Sequence, residues 1–139
     1  MAPNWPWLNL LRGAKAMQEV LIDACGWVAI VDSGINIDTS LNGLVGPFQL
    51  LLLENVKHEL DNLAKEKKNL LLPLIYSKAE LINPLEESTN HTDDQLVDMG
   101  KHLNCAVLTV DRELKKRLIE NSCRVIEVVS NKRLRLATD

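Results

Sequence analysis

The chain has 139 residues, 46% of them hydrophobic and 25% charged, with a formal net charge of −3. This is the composition of one globular domain that buries a core without disulfide support, and the weak negative charge excludes a uniformly basic nucleic-acid binder. No run of about 18 apolar residues reads as a membrane span, and Met1-Ala-Pro-Asn-Trp-Pro-Trp lacks the basic start and apolar run of a signal peptide. Cys25, Cys105 and Cys123 are an odd number without CxxC spacing, which fits reduced thiols in a cytoplasmic protein.

The elements follow in chain order. Residues 6–18 place Trp7, Leu8, Leu11 and Ala14 at helical spacing, interrupted by Gly13. Val20-Leu-Ile is a short buried strand that stops at Asp23. Residues 34–43 read as loop with one helical turn at most, and Gln49 to Leu53 as a strand after Gly46-Pro47. Asn55 to about Lys65 is a helix with Asn55 as N-cap, and Asn69 to about Ile82 a second helix with Pro73 in its first turn. Thr92 caps a helix through Leu103, with Asp93 and Asp94 in its first turn. Cys105 to Val110 is a buried strand, Asp111 to Asn121 a basic amphipathic helix, Arg124 to Val129 a further strand, and 132–137 an edge strand. Alternating strands and helices predict an α/β fold of three layers, α/β/α, around a central, mostly parallel sheet. In such sheets sites gather outside the carboxyl ends of the strands.

Four acids belong to that edge. Asp23 and Asp111 end strands, and Glu59 and Asp94 sit near the starts of helices. A bare buried carboxylate is costly, so carboxylates converging there point to a hard divalent cation and phosphate chemistry. Plainer roles stand beside that one: a turn for Asp23, a solvated face for Glu59, the helix dipole for Asp94, and an N-cap for Asp111 that is compatible with metal binding. Zinc fits poorly, because His58, His91 and His102 lack ligand spacing and the cysteines are scattered. There is no GxxxxGK[ST], GxGxxG or GxSxG motif. From Arg112 to Arg135 eight basic residues face three acids; this stretch reads either as a grip on a phosphate backbone or as a solvated helix face.

Val20-Leu-Ile-Asp23, Val56-Lys-His-Glu59-Leu60, Thr92-Asp-Asp94-Gln-Leu and Leu108-Thr-Val-Asp111-Arg-Glu-Leu together resemble the successive motifs of PIN-domain ribonucleases, in the branch that includes ribosomal-RNA-processing nucleases and VapC-type toxins. The resemblance runs from about Val20 to Leu136, and its last two motifs are the specific part. It implies a domain over residues 19–139 after a helical extension at 1–18, which is either a dimer or partner arm or an extended start. It implies an endoribonuclease that hydrolyses RNA with Mg²⁺ or Mn²⁺, one or two ions, held by Asp23, Glu59, Asp94 and Asp111. Asp93 and Thr109 then support those ligands, and Arg112, Lys115, Lys116, Arg117, Lys132 and Arg133 hold RNA. The partners implied are RNA, a second copy of the chain, and an antitoxin or ribosome-assembly factor. The alternative is a non-catalytic RNA- or ribosome-binding scaffold. One departure bears on that choice: Ala24-Cys25 follows Asp23, where the family usually has Thr or Ser and then a small or polar residue.

Overall fold

Val20, Leu21 and Ile22 have no solvent exposure at all, because β1 (Gln18–Ile22) is the middle of a sheet covered on both faces. In a computed structural model of the chain, residues 17–67, 71–130 and 132–137 are described. The sheet has six strands in the order β3-β2-β1-β4-β5-β6. They are β1, β2 (Phe48–Leu53), β3 (Ala79–Ile82), β4 (Ala106–Leu108), β5 (Arg124–Val129) and β6 (Arg133–Leu136). The first five run parallel and β6 closes the edge antiparallel to β5. Strands buried on both faces need continuous apolar runs, which explains Val-Leu-Ile in β1, Leu-Leu-Leu-Leu in β2 and Ala-Val-Leu in β4.

The chain moves from β1 outward through β2 to β3, then returns to the other side of β1 as β4. The crevice above the carboxyl ends of β1 and β4 is therefore the point where the strand order reverses, the place where open α/β sheets bind ligands. Register fixes what meets there. Ile22 pairs with Leu108, so the next residues on each strand, Asp23 and Thr109, leave the sheet side by side.

Helices α1 (Ala24–Ser33), α2 (Ile37–Val45), α3 (Glu54–Ala64), α4 (Leu72–Lys78), α5 (Thr92–Leu103) and α6 (Arg112–Glu120) connect these strands. Several differ from the sequence reading. Residues 37–45 are helical because Asn36 caps the segment, its side chain accepting from the Thr39 amide at 3.1 Å, and Ile37 and Leu41 bury one face. Among the described residues of the expected long second helix, Leu72–Lys78 is helical; Ala79–Ile82 pairs with β2 instead, so tertiary pairing outweighs local propensity. Neither expected cap at Asn55 or Thr92 is used. The cap positions fall on Leu53 and His91 without side-chain bonds, and the two polar side chains turn outward to other partners. The helical pattern expected over 6–18 lies outside the described residues up to position 16, and Gln18 itself opens β1.

Candidate active site

Asp23 is 7% exposed and N-caps α1 at the end of β1. Its carboxylate accepts the Gly26 amide on Oδ1 at 2.7 Å, and on Oδ2 the Thr109 hydroxyl at 2.6 Å and the Cys25 thiol at 3.0 Å. All three donors are neutral. Burial pushes the Asp23 carboxyl above its ordinary value, these hydrogen bonds oppose the rise, and the charge of Asp111 adds to it. Gly26 is required by this geometry. A Cβ there would stand 2.8 Å from Asp23 Oδ1 and 2.9 Å from the Leu108 carbonyl.

Thr109 is fully buried and links two acids. Its hydroxyl donates to Asp23 and accepts the Asp111 amide at 3.1 Å. Asp111 in turn N-caps α6, its Oδ1 accepting from the amides of Glu113 at 2.9 Å and Leu114 at 3.2 Å. Capping spends one oxygen of an exposed carboxylate and leaves the other toward solvent.

The remaining acids form a second, open group. Thr92 donates to Glu59 Oε1 at 2.8 Å, tying α3 to the start of α5, and the Asn55 side-chain amide donates to the Asn90 carbonyl at 2.9 Å, tying α3 to the loop that precedes α5. Asp94 accepts the Thr89 hydroxyl on Oδ2 and an Arg117 guanidinium N–H on Oδ1, each at 2.7 Å. Thr89 first and Arg117 second hold its carboxyl below the ordinary value. Glu59, His91, Thr92, Asp93, Asp94 and Arg117 line a shared cleft of about 540 Å³.

The four acids thus stand as two pairs: Asp23 with Asp111, and Glu59 with Asp94. Among the described residues no three His, Cys, Asp or Glu side chains gather into one ligand cluster. The Asp23–Asp111 pair nonetheless fits a hard divalent cation. It presents oxygen donors, one carboxylate is buried with no cationic partner among the described residues, and Mg²⁺ is commonly held by one or two carboxylates with water filling its other positions.

The basic residues separate by partner. Lys115 bonds Glu127 at 3.3 Å, Arg135 bonds the same carboxylate at 2.6 Å, and Arg117 is engaged by Asp94. Arg112 and Lys116 are exposed on α6, and Lys132 and Arg133 are exposed at the β5–β6 turn. Because β5 runs parallel to β4, that turn and the start of α6 share the sheet edge that carries Asp111. Sequence reasoning missed Gly26, Thr89 and Thr92 as site residues. The Asp-x-x-Gly spacing at 23–26 is the one signal that marks any of them, since it places a glycine amide where a capping carboxylate accepts.

The chain and its fold have counterparts among known proteins. The model of the PIN like domain matches residues 20–131, a span that holds all four acids, and the chain belongs to that family. The curated protein Ribonuclease VapC4 of Methanocaldococcus jannaschii is 27% identical over 123 residues, covering 84% of this chain and 94% of that protein. The structure of the PIN domain endonuclease Utp24 is similar at 20% identity with a TM-score of 0.69, over 85% of this chain and 90% of that one. A protein from Pyrobaculum aerophilum aligns at 15% identity with a TM-score of 0.54, over 76% and 98%. Both structures share its three-layer α/β fold.

Proposed function

We propose that the protein is an endoribonuclease that hydrolyses RNA phosphodiester bonds with the help of Mg²⁺ or Mn²⁺. The observation that carries this reading is the buried Asp23 carboxylate at the β1/β4 crevice, met among the described residues only by neutral donors and tied through Thr109 to a second carboxylate, Asp111. Hydrogen bonds to neutral groups satisfy this carboxylate as a helix cap but leave its buried charge without a counter-ion, which a bound cation would supply. Membership of the PIN-like family and the likeness to a protein named as a ribonuclease support it.

In this reading Asp23 and Asp111 hold the ion, and Glu59 and Asp94 complete the site from the facing helices. When bound, the ion supplies charge neutralisation at the phosphodiester and a more acidic water. The chain's own residues do the rest. Thr109 and Gly26 fix the Asp23 carboxylate, the α6 amides fix Asp111, and the covered sheet edge keeps solvent from the inner carboxylate. Arg112, Lys116, Lys132 and Arg133 line one edge and take RNA phosphates there. Residues 19–139 form the nuclease domain.

The test is cleavage of structured and unstructured RNA in Mn²⁺ by the wild type and by Asp111→Asn. Loss of cleavage in the variant is expected; equal cleavage by both proteins would count against the proposal. A second reading, an RNA-binding scaffold without efficient chemistry, is favoured by one feature. The Cys25 thiol donates to the same Asp23 oxygen as Thr109, which dampens that oxygen's strength as a ligand. Calorimetry with Mn²⁺ separates the two readings, since a nuclease binds the ion and Asp23→Ala abolishes the binding.

A further inference from the structure

The open cleft holds an internal ion pair whose members have different uses. Asp94 is one of the four acids of the site, and Arg117 projects from the helix that Asp111 caps. Their side chains are 31% and 44% exposed. Three carboxylates, Glu59, Asp93 and Asp94, line the cleft, and Arg117 is the one permanent cation among its described lining residues. A polyanion entering this cleft meets net negative charge, and the guanidinium that could attract it is engaged. A half-exposed pair of this kind is weak in water and exchanges readily.

We propose that Arg117 is a phosphate-binding residue released by metal binding: a divalent cation takes Asp94, and the freed guanidinium takes an RNA phosphate. The inference rests on the metal-dependent reading of the site and assigns a substrate contact within it. The exchange keeps every charge paired. Asp94–Arg117 becomes Asp94 with the cation and Arg117 with the phosphate, and the planar guanidinium suits two phosphate oxygens as well as it suits a carboxylate. RNA binding and ion binding are then coupled, each favouring the other, because either ligand removes the partner that the other must displace. Arg117 differs here from Arg112 and Lys116 on the same helix, which are exposed and attract RNA whether or not the ion is present.

The experiment measures Mn²⁺ affinity by calorimetry and the affinity of a phosphorothioate RNA by fluorescence anisotropy, in EDTA and in Mn²⁺. The proteins are the wild type, Arg117→Ala and Asp94→Asn, with thermal unfolding as the check that each variant folds. In EDTA, Arg117→Ala should bind RNA as the wild type does, whereas Asp94→Asn, with its arginine free, should bind it about tenfold more tightly. In Mn²⁺ the wild type should gain about tenfold and Arg117→Ala should gain little. Arg117→Ala should also bind Mn²⁺ more tightly than the wild type, having lost the internal competitor for Asp94. Weaker Mn²⁺ binding by Arg117→Ala, or an equal loss of RNA affinity with and without the ion, overturns the proposal. A wild type that binds neither Mn²⁺ nor RNA overturns the nuclease reading and this inference together, whereas binding of both without coupling overturns this inference alone.

Discussion

The two pairs of acids are built to different standards. Asp23 and Asp111 sit on the ends of a buried parallel sheet, joined by a threonine with no solvent exposure and fixed by backbone amides. Glu59 and Asp94 sit on helix surfaces facing an open cleft and are held by side chains that are themselves partly exposed. The first pair is set by strand register, which cannot shift by one residue without turning a whole strand inside out. The second is set by side-chain contacts that cost little to exchange. The molecule therefore combines a rigid pair of acids with an adaptable one; under the proposed function the first would be the preorganised end of the site and the second the end that admits a bulky polyanion.

Substitutions that keep shape while removing charge are the strongest way to break this comparison. Asp23→Asn should lower RNA cleavage by about 10²-fold or more, and Glu59→Gln by about tenfold, measured with saturating Mn²⁺. The opposite order would place the dominant ligand on the open side and dissolve the distinction. Stability should divide the same way. Thr109→Val removes the donor to a buried carboxylate and the acceptor of the Asp111 amide, and should cost about 1–3 kcal/mol in urea unfolding. Thr92→Val removes a surface bond and should stay within about 0.5 kcal/mol. Gly26→Ala should cost about 1–3 kcal/mol, since its Cβ meets the Leu108 carbonyl, a backbone atom with no freedom to move aside.

The same contrast governs what the sequence revealed. The rigid half was legible: apolar runs of β-branched residues and leucine, stopped by Asp, marked Asp23 and Asp111 as strand ends, and the family resemblance supplied Thr109 between them. Strand β6 was legible from a different local signal, its polar–apolar alternation. In the adaptable half Glu59 and Asp94 were named from the sequence, but what holds them was not legible. That Thr92 reaches Glu59 and Arg117 reaches Asp94 depends on how α3, α5 and α6 pack, over separations of 33 and 23 residues that no local pattern encodes. Strand β3 escaped likewise. Ala-Glu-Leu-Ile follows a helix without Gly or Pro, and only pairing with β2 makes it a strand.

A smaller effect separates the halves by sign. In the metal-free protein, held in EDTA, the Asp23 carboxyl is raised above 3.8, chiefly by burial, so the folded state holds that proton more tightly than the unfolded chain. Its contribution to stability is greatest below pH 3.8 and is lost as pH rises through the folded value, beyond which the penalty is constant. Asp94 is lowered by Thr89 and Arg117, so its contribution is present above pH 3.8 and is lost as pH falls through its folded value. Thermal midpoints taken against pH should therefore show the wild type losing stability relative to Asp23→Asn as pH rises from acid to neutrality. Asp94→Asn should lose to the wild type at neutrality and approach it in acid. Adding Mn²⁺ should close the first gap, because the ion offsets the buried charge that Asp23 carries alone in EDTA. If the Asp23→Asn and wild-type curves ran parallel from acid to neutral pH, the buried carboxylate would carry no penalty, and the physical argument for a cation at the β1/β4 crevice would lose its footing.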